Sequence, residues 1–90
     1  MSLVVHKFQV SPGPFVLELP RGAVVLDVQM QHGSPQLWVL LNPSEPTVRR
    51  SFCVVGTGHQ FDAEYHHVRY CGTFQMEGGL LVWHLFESAP

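Results

Sequence analysis

Apolar and polar residues alternate along this chain in short bursts, and no stretch holds a helical period for long. The clearest alternation is V-V-L-D-V-Q-M-Q, where Val24, Leu26, Val28 and Met30 share one face of a strand and Val25, Asp27, Gln29 and Gln31 share the other. That pattern predicts an antiparallel strand with one wet face. Leu37–Leu41 and Leu80–Phe86 are instead apolar on both faces, which predicts central strands, or strands whose second face meets another subunit. With the other β-branched and aromatic runs, strands are predicted over Val4–Val10, Phe15–Leu19, Val24–Gln31, Gln36–Leu41, Arg49–Gly56, Arg69–Met76 and Leu80–Glu87.

Proline and glycine punctuate these runs. S-P-G-P (11–14) and L-P-R-G (19–22) read as hairpin turns, the second with proline at its second position and glycine at its fourth. H-G-S-P (32–35) and E-G-G (77–79) read as further corners, and N-P-S-E-P (42–46) as a stiff exposed loop. Gln60–Val68 is the one long connection and the one place for a helical turn. Six or seven short strands with tight turns predict an all-β fold, a small antiparallel β-sandwich or a barrel-like meander, with residues 1–90 in one domain.

Composition adds an expectation about association. The chain is 46% hydrophobic and only 13% charged, so part of its apolar surface is expected to be hidden in a homo-oligomer. A formal charge of −2 and no basic cluster beyond Arg49-Arg50 exclude an electrostatic footprint for duplex DNA. Arg49 and Arg50 read as the solvated start of a strand. No apolar run is long enough to span a membrane. The N-terminus, M-S-L-V-V-H-K-F, lacks the basic and apolar regions of a leader, so Cys53 and Cys71 are expected as reduced, buried thiols in the cytoplasm.

Histidine is in excess, at positions 6, 32, 59, 66, 67 and 84. None of the spacings matches H-x-x-x-H, C-x-x-C or H-x-H, so no metal site and no cofactor are assigned. Asp62, Glu64, His59, His66 and His67 crowd the long connection, yet loops are polar for solvation alone. No nucleophile has a local partner, though Cys71 with His84 or His67 is a conceivable pair, and the reading leans away from an enzyme. G-T-G-H (56–59) could offer backbone N–H groups to an anion, but no helix follows, which favours a strand exit that needs glycine. Its G-T echo in G-T-F-Q (72–75) has unmatched flanks and reads as coincidence. His84 reads as a satisfied core group, and Trp38 and Trp83 as core or subunit interface.

L-P-R-G-A-V-V-L-D-V-Q-M-Q (19–31), L-W-V-L-L-N-P (37–43), R-S-F-C-V-V-G-T-G-H (50–59) and Y-C-G-T-F-Q-M-E-G-G-L-L-V-W-H-L-F-E (70–87) resemble a family of small, uncharacterised phage and prophage proteins. The resemblance covers roughly residues 6–87 and implies a protein made in the cytoplasm of a bacterial host, without transferring any catalytic residue. The leading expectation is then a non-enzymatic accessory binding protein. It would sequester a nucleotide signal of the host or block a host protein, as a homo-oligomer. Its expected ligand residues are Gly56, Thr57, Gly58, His59, Tyr65, His66, His67 and Trp83. A virion assembly subunit and a histidine-dependent hydrolase or metal enzyme are the alternatives.

Overall fold

The structure, a computed structural model, describes residues 2–88; Met1, Ala89 and Pro90 lie outside the described residues. Seven strands follow in order: β1 (Val4–Gln9), β2 (Pro14–Pro20), β3 (Val24–Gln31), β4 (Ser34–Leu41), β5 (Thr47–Gly56), β6 (Val68–Met76) and β7 (Leu81–Ser88). Short 3-10 turns at Tyr65–His67 and Glu77–Gly79 are the only helical residues among those described. All pairing is antiparallel, in a three-stranded sheet β1-β4-β3 and a four-stranded sheet β2-β5-β7-β6. The fold is a β-sandwich, and the sheets do not close into a barrel.

Both runs predicted as doubly apolar are interior strands, β4 in the smaller sheet and β7 in the larger. Leu37, Val39 and Leu41 of β4 meet Leu19, Phe52, Phe74 and Leu85 of the other sheet in one buried cluster. Fully burying side chains of this size stabilises the fold by about 1.5–3 kcal/mol each.

Two of the expected hairpin turns are crossovers between sheets. S-P-G-P carries the chain from β1 to β2, and Pro20–Ala23 carries it from β2 to β3. Proline supplies no ladder N–H, so Pro14 and Pro20 bracket β2, an edge strand where that loss is tolerated. The turn after β2 is also shifted by one residue: Ala23 N–H donates to Pro20 C=O at 3.1 Å, and Gly22 takes the third position with φ +82°. The true hairpins are β3–β4, through His32-Gly33 with both φ positive, and β6–β7, through Glu77–Leu80.

The alternation of β3 does not run straight through. A bulge between Val25 and Asp27 shifts the register, so Val28 and Met30 face the core while Val24 and Leu26 are about half exposed and Val25 packs inward in their place. A second bulge, between Tyr70 and Gly72, lies in β6, the edge strand that contacts β3 across the sandwich. At that contact a Cβ on Gly72 would sit 2.3 Å from Val28 Cγ1, so only glycine lets the two strands approach.

Candidate ligand-binding site

The inner face of the four-stranded sheet follows from register, because directly paired residues point the same way. Phe52, Val54 and Gly56 of β5 pair with Glu87, Leu85 and Trp83 of β7, and Phe74 of β6 pairs with Trp83. A cleft of about 390 Å³ opens at the Trp83 end, walled by the β1–β2 crossover and by Pro35, Val54, Phe74, Met76, Leu81 and Trp83. The crossover is tied to both sheets: Val10 N–H donates to Pro35 C=O at 3.1 Å, and Val54 N–H to Gly13 C=O at 3.0 Å. Trp83 Nε1 is the one buried side-chain nitrogen or oxygen among the described residues without a hydrogen-bond partner.

The Gly56–His59 corner belongs to the same end. Gly56 is buried beneath the His59 ring. A Cβ there would meet His59 Nδ1 at 2.8 Å and the Trp83 ring at 3.2 Å. Its glycine is needed for space, whereas Gly58 is needed for its φ of +84°. His59 folds back edge-on to Trp83, with ring centroids 6.4 Å apart.

Thr57 turns to the outer face, where the two G-T pairs meet. Thr57 Oγ1 lies 2.6 Å from His84 Nε2, Thr73 Oγ1 lies 3.0 Å from His84 Nδ1, and Tyr70 Oη lies 2.5 Å from Thr73 Oγ1. With Nε2 protonated the row satisfies itself in one direction. Tyr70 donates to Thr73, Thr73 to Nδ1, Nε2–H to Thr57, and Thr57 to the Val82 carbonyl at 3.4 Å. His84 is thus satisfied, but on the outer face of the sheet and by hydroxyls, not among the core residues where the sequence reading put it. With both nitrogens occupied it forms no nucleophilic pair with Cys71, whose Sγ donates to Arg69 C=O.

The other expected ligand residues do not converge on a cavity. Tyr65 is 95% exposed, and His66 and His67 are exposed beside it on a single 3-10 turn. His67 Nδ1 lies 3.8 Å from Glu64 Oε2, a pair held only when the imidazole is protonated. The connection before this turn covers the outer face instead: Phe61 packs on Phe86 at 5.4 Å, and Val55 beneath is buried. Among the described residues no three His, Cys, Asp or Glu side chains gather as a metal site would require. No helix there is long and apolar enough to cross a membrane.

Sequence reasoning missed the polar group at the other end of the sandwich. Arg50 is not solvated. Its Nε and Nη2 donate to Glu87 Oε2 and Oε1 at 2.5 and 2.8 Å, and Nη1 donates to Ala23 C=O at 2.5 Å. The two side chains are 14% and 10% exposed. The hydrogen bond to Glu87 raises the Arg50 pKa, against the lowering effect of burial. Both residues lie in the apolar phase of their strands, Arg50 two before Phe52 and Glu87 two after Leu85, and that phase is the signal that could have revealed the pair. Nearby Cys71 is a free thiol pushed up to about 11, by burial first and then by the Glu87 charge. Cys53 is also free.

Fold and geometry define an open, seven-stranded antiparallel β-sandwich with an apolar cleft between its sheets. The chain belongs to the family described as Domain of unknown function (DUF7352), whose model matches residues 1–90. No curated protein and no solved structure matches it.

Proposed function

We propose that this protein is a non-enzymatic accessory binding protein of a phage or prophage, acting in the bacterial cytoplasm as a homo-oligomer that captures a host component. The inter-sheet cleft carries this reading. A volume of about 390 Å³ lies within the roughly 300–1,000 Å³ typical of small-molecule sites, and its walls are mostly apolar with few polar groups. His84 and Cys71, the side chains closest to chemistry, are committed to internal bonds. No residue lining the cleft carries a charge, so a nucleotide's phosphates would find no cation in it. A nucleotide signal would have to use the Gly56–His59 corner with Tyr65, His66 and His67.

Self-association is supported by the outer face of the smaller sheet. Val5, Leu40 and Val24 line up across its three strands, and in the neighbouring row Trp38 stands between Lys7 and Asp27. A two-fold axis parallel to β4 and passing over Trp38 would bring Lys7 of one copy against Asp27 of the other. Val24 is 52% exposed, so Val24→Glu leaves the core intact and is expected to turn an oligomer into monomer by light scattering.

A thermal-shift panel of cyclic dinucleotides, related nucleotide signals and neutral apolar molecules tests the reading. A ligand at 100-fold its dissociation constant stabilises the native state by about 2.7 kcal/mol, which reads as a rise of about 10–20 °C for a domain of this size. Melting temperatures that stay flat across the panel refute it.

A further inference from the structure

We infer that β1 is an interaction edge for a second copy of this chain, pairing antiparallel with its counterpart about a two-fold axis at His6, so that two three-stranded sheets join into one. The inference rests on the self-association reading and adds an interface to it, distinct from the outer face around Trp38.

The sandwich has four edge strands, β1 and β3 of one sheet and β2 and β6 of the other. An open edge presents unpaired N–H and C=O groups and is ordinarily blunted by proline or a bulge. Three of the four are blunted here. β3 carries the bulge at Leu26, and β6 the bulge at Cys71. On β2, Val54 N–H donates to Gly13 C=O, so the odd-numbered residues bond to β5 and the prolines at 14 and 20 stand where free donors would be. β1 has neither device: Val4–Gln9 pairs with β4 in unbroken register. Among the described residues nothing pairs with its other side.

The bond from Val10 N–H to Pro35 C=O sets which groups of β1 are free. Counting back from Val10, the alternate residues Phe8, His6 and Val4 bond towards β4, so Val5, Lys7 and Gln9 turn their N–H and C=O outwards. Lysine commonly guards an edge, but Lys7 does not guard this one. Its Nζ donates to Gln31 Oε1 on β3 at 2.7 Å, across the sheet and away from the edge. The side chains leave room as well. Val4 and His6 point to the same side as buried Leu41 and Val39, yet both are exposed, so the larger sheet does not cover this half of β1.

Symmetry and charge then fix the register. Around a two-fold axis residue i meets j and j meets i, and outward groups bond only to outward groups. Centring the axis on Lys7 would set two lysines directly opposite each other, which is unfavourable. Centring it on Val5 runs Phe8 and Gln9 past the start of the other copy's strand, and axes further out shorten the ladder more. Centring it on His6 pairs Val5 of each copy with Lys7 of the other, every such pair exchanging both N–H···O bonds. The two His6 residues then stand directly opposite, in a non-hydrogen-bonded pair.

The experiment places single cysteines in the full chain carrying Cys53→Ala and Cys71→Ala. Opposite Cα atoms in a non-hydrogen-bonded pair lie about 4.5 Å apart, within reach of a disulfide. Positions 5 and 7 each lie two residues out of register with themselves, beyond that reach. On mild oxidation His6→Cys should therefore form a crosslinked dimer about tenfold faster or more than Val5→Cys or Lys7→Cys. Lys7→Pro should fold, because an edge strand tolerates a missing outward N–H, and it removes one donor from each copy's side of the ladder. It should raise the dimer dissociation constant in sedimentation equilibrium by about tenfold or more. If Lys7→Pro does not fold, the crosslinking rates decide the matter. Equal rates at the three positions, no crosslinking at any of them, or a Lys7→Pro dimer as tight as the parent's overturns the inference. If that happens while Val24→Glu still turns an oligomer into monomer, the edge assignment falls and the self-association reading stands. If the parent stays monomeric at every concentration, both fall.

Discussion

Replacing Glu87 by Gln tests whether the Arg50–Glu87 pair holds the sandwich together or merely decorates it. The substitution keeps the shape and one acceptor but removes the charge, leaving Arg50 with Ala23 C=O as its remaining firm partner. Breaking a buried ion pair from one side costs about 3–5 kcal/mol, because the surviving charge stays desolvated. Both side chains retain some water contact, at 14% and 10% exposure, so the expected loss lies near the lower end of that range, about 3 kcal/mol. For a domain of this size that corresponds to a fall in melting temperature of about 12–24 °C. Urea denaturation of Glu87→Gln, Arg50→Met and the combined Arg50→Met/Glu87→Leu chain provides the comparison. The double replacement removes both charges together, so it should lie within about 1 kcal/mol of the parent despite the large single losses. High salt should change the parent little, since a pair this enclosed is poorly screened. A single loss below about 1 kcal/mol, or single losses that simply add in the double variant, would mean the pair behaves like one on the surface and would refute the reasoning.

Gly72→Ala should destabilise by about 1–3 kcal/mol, because its Cβ would fall 2.3 Å from Val28 Cγ1; adding Val28→Ala should then cost less than it does in the parent, as read from urea midpoints. Burial pushes the Cys71 thiol up to about 11 in the fold, whereas in the unfolded chain it ionises near its ordinary value of 9.0. The raised folded pKa therefore contributes stability that is present below about pH 9 and lost as pH climbs to about 11, a decline that Cys71→Ala should lack in paired denaturation curves. In a Cys53→Ser chain, Cys71 should react slowly with a disulfide reagent at pH 8 and faster at each step towards pH 11. Thr73→Val leaves His84 Nδ1 and the Tyr70 hydroxyl without their partner and should cost about 1 kcal/mol; an unchanged urea midpoint would show that the hydroxyl row contributes nothing.

The strands were legible because β-branched and aromatic runs between proline and glycine leave little choice of backbone. Topology was not. A hairpin turn and a crossover draw on the same residues, and what distinguished S-P-G-P from H-G-S-P was whether both turn residues could take positive φ and let the ladder zip onward. His32 and Gly33 do so, with φ of 51° and 78°. The bulge at Leu26 was invisible for a different reason. It is a feature of how β3 pairs with β4 in the folded sheet, and a perfect alternation such as Val24–Gln31 carries no mark of it. The candidate site divides in the same way. His59 and Trp83 were both singled out in the sequence, but their meeting over Gly56 depends on register. The cleft depends on how far two sheets stand apart, which no local pattern encodes.

Each end of the sandwich has its own tie between the sheets. Near the start of β5 and the end of β7, Arg50 reaches from Glu87 in the larger sheet to the carbonyl of Ala23, just before β3 of the smaller one, and draws the sheets together. At the far ends of the same two strands, the β1–β2 crossover is bonded to Pro35 on one side and Val54 on the other. Between those ties run Ser11, Pro12 and Gly13, a short bridge whose proline and positive-φ glycine restrict how it can collapse. The clamp and the prop thus sit at opposite ends of β5 and β7, Arg50 at one and the cleft beside Trp83 at the other. The crossover beside the cleft is tied by two backbone hydrogen bonds that are in place without a ligand, whereas the more conspicuous histidines all stand outside the cleft's lining.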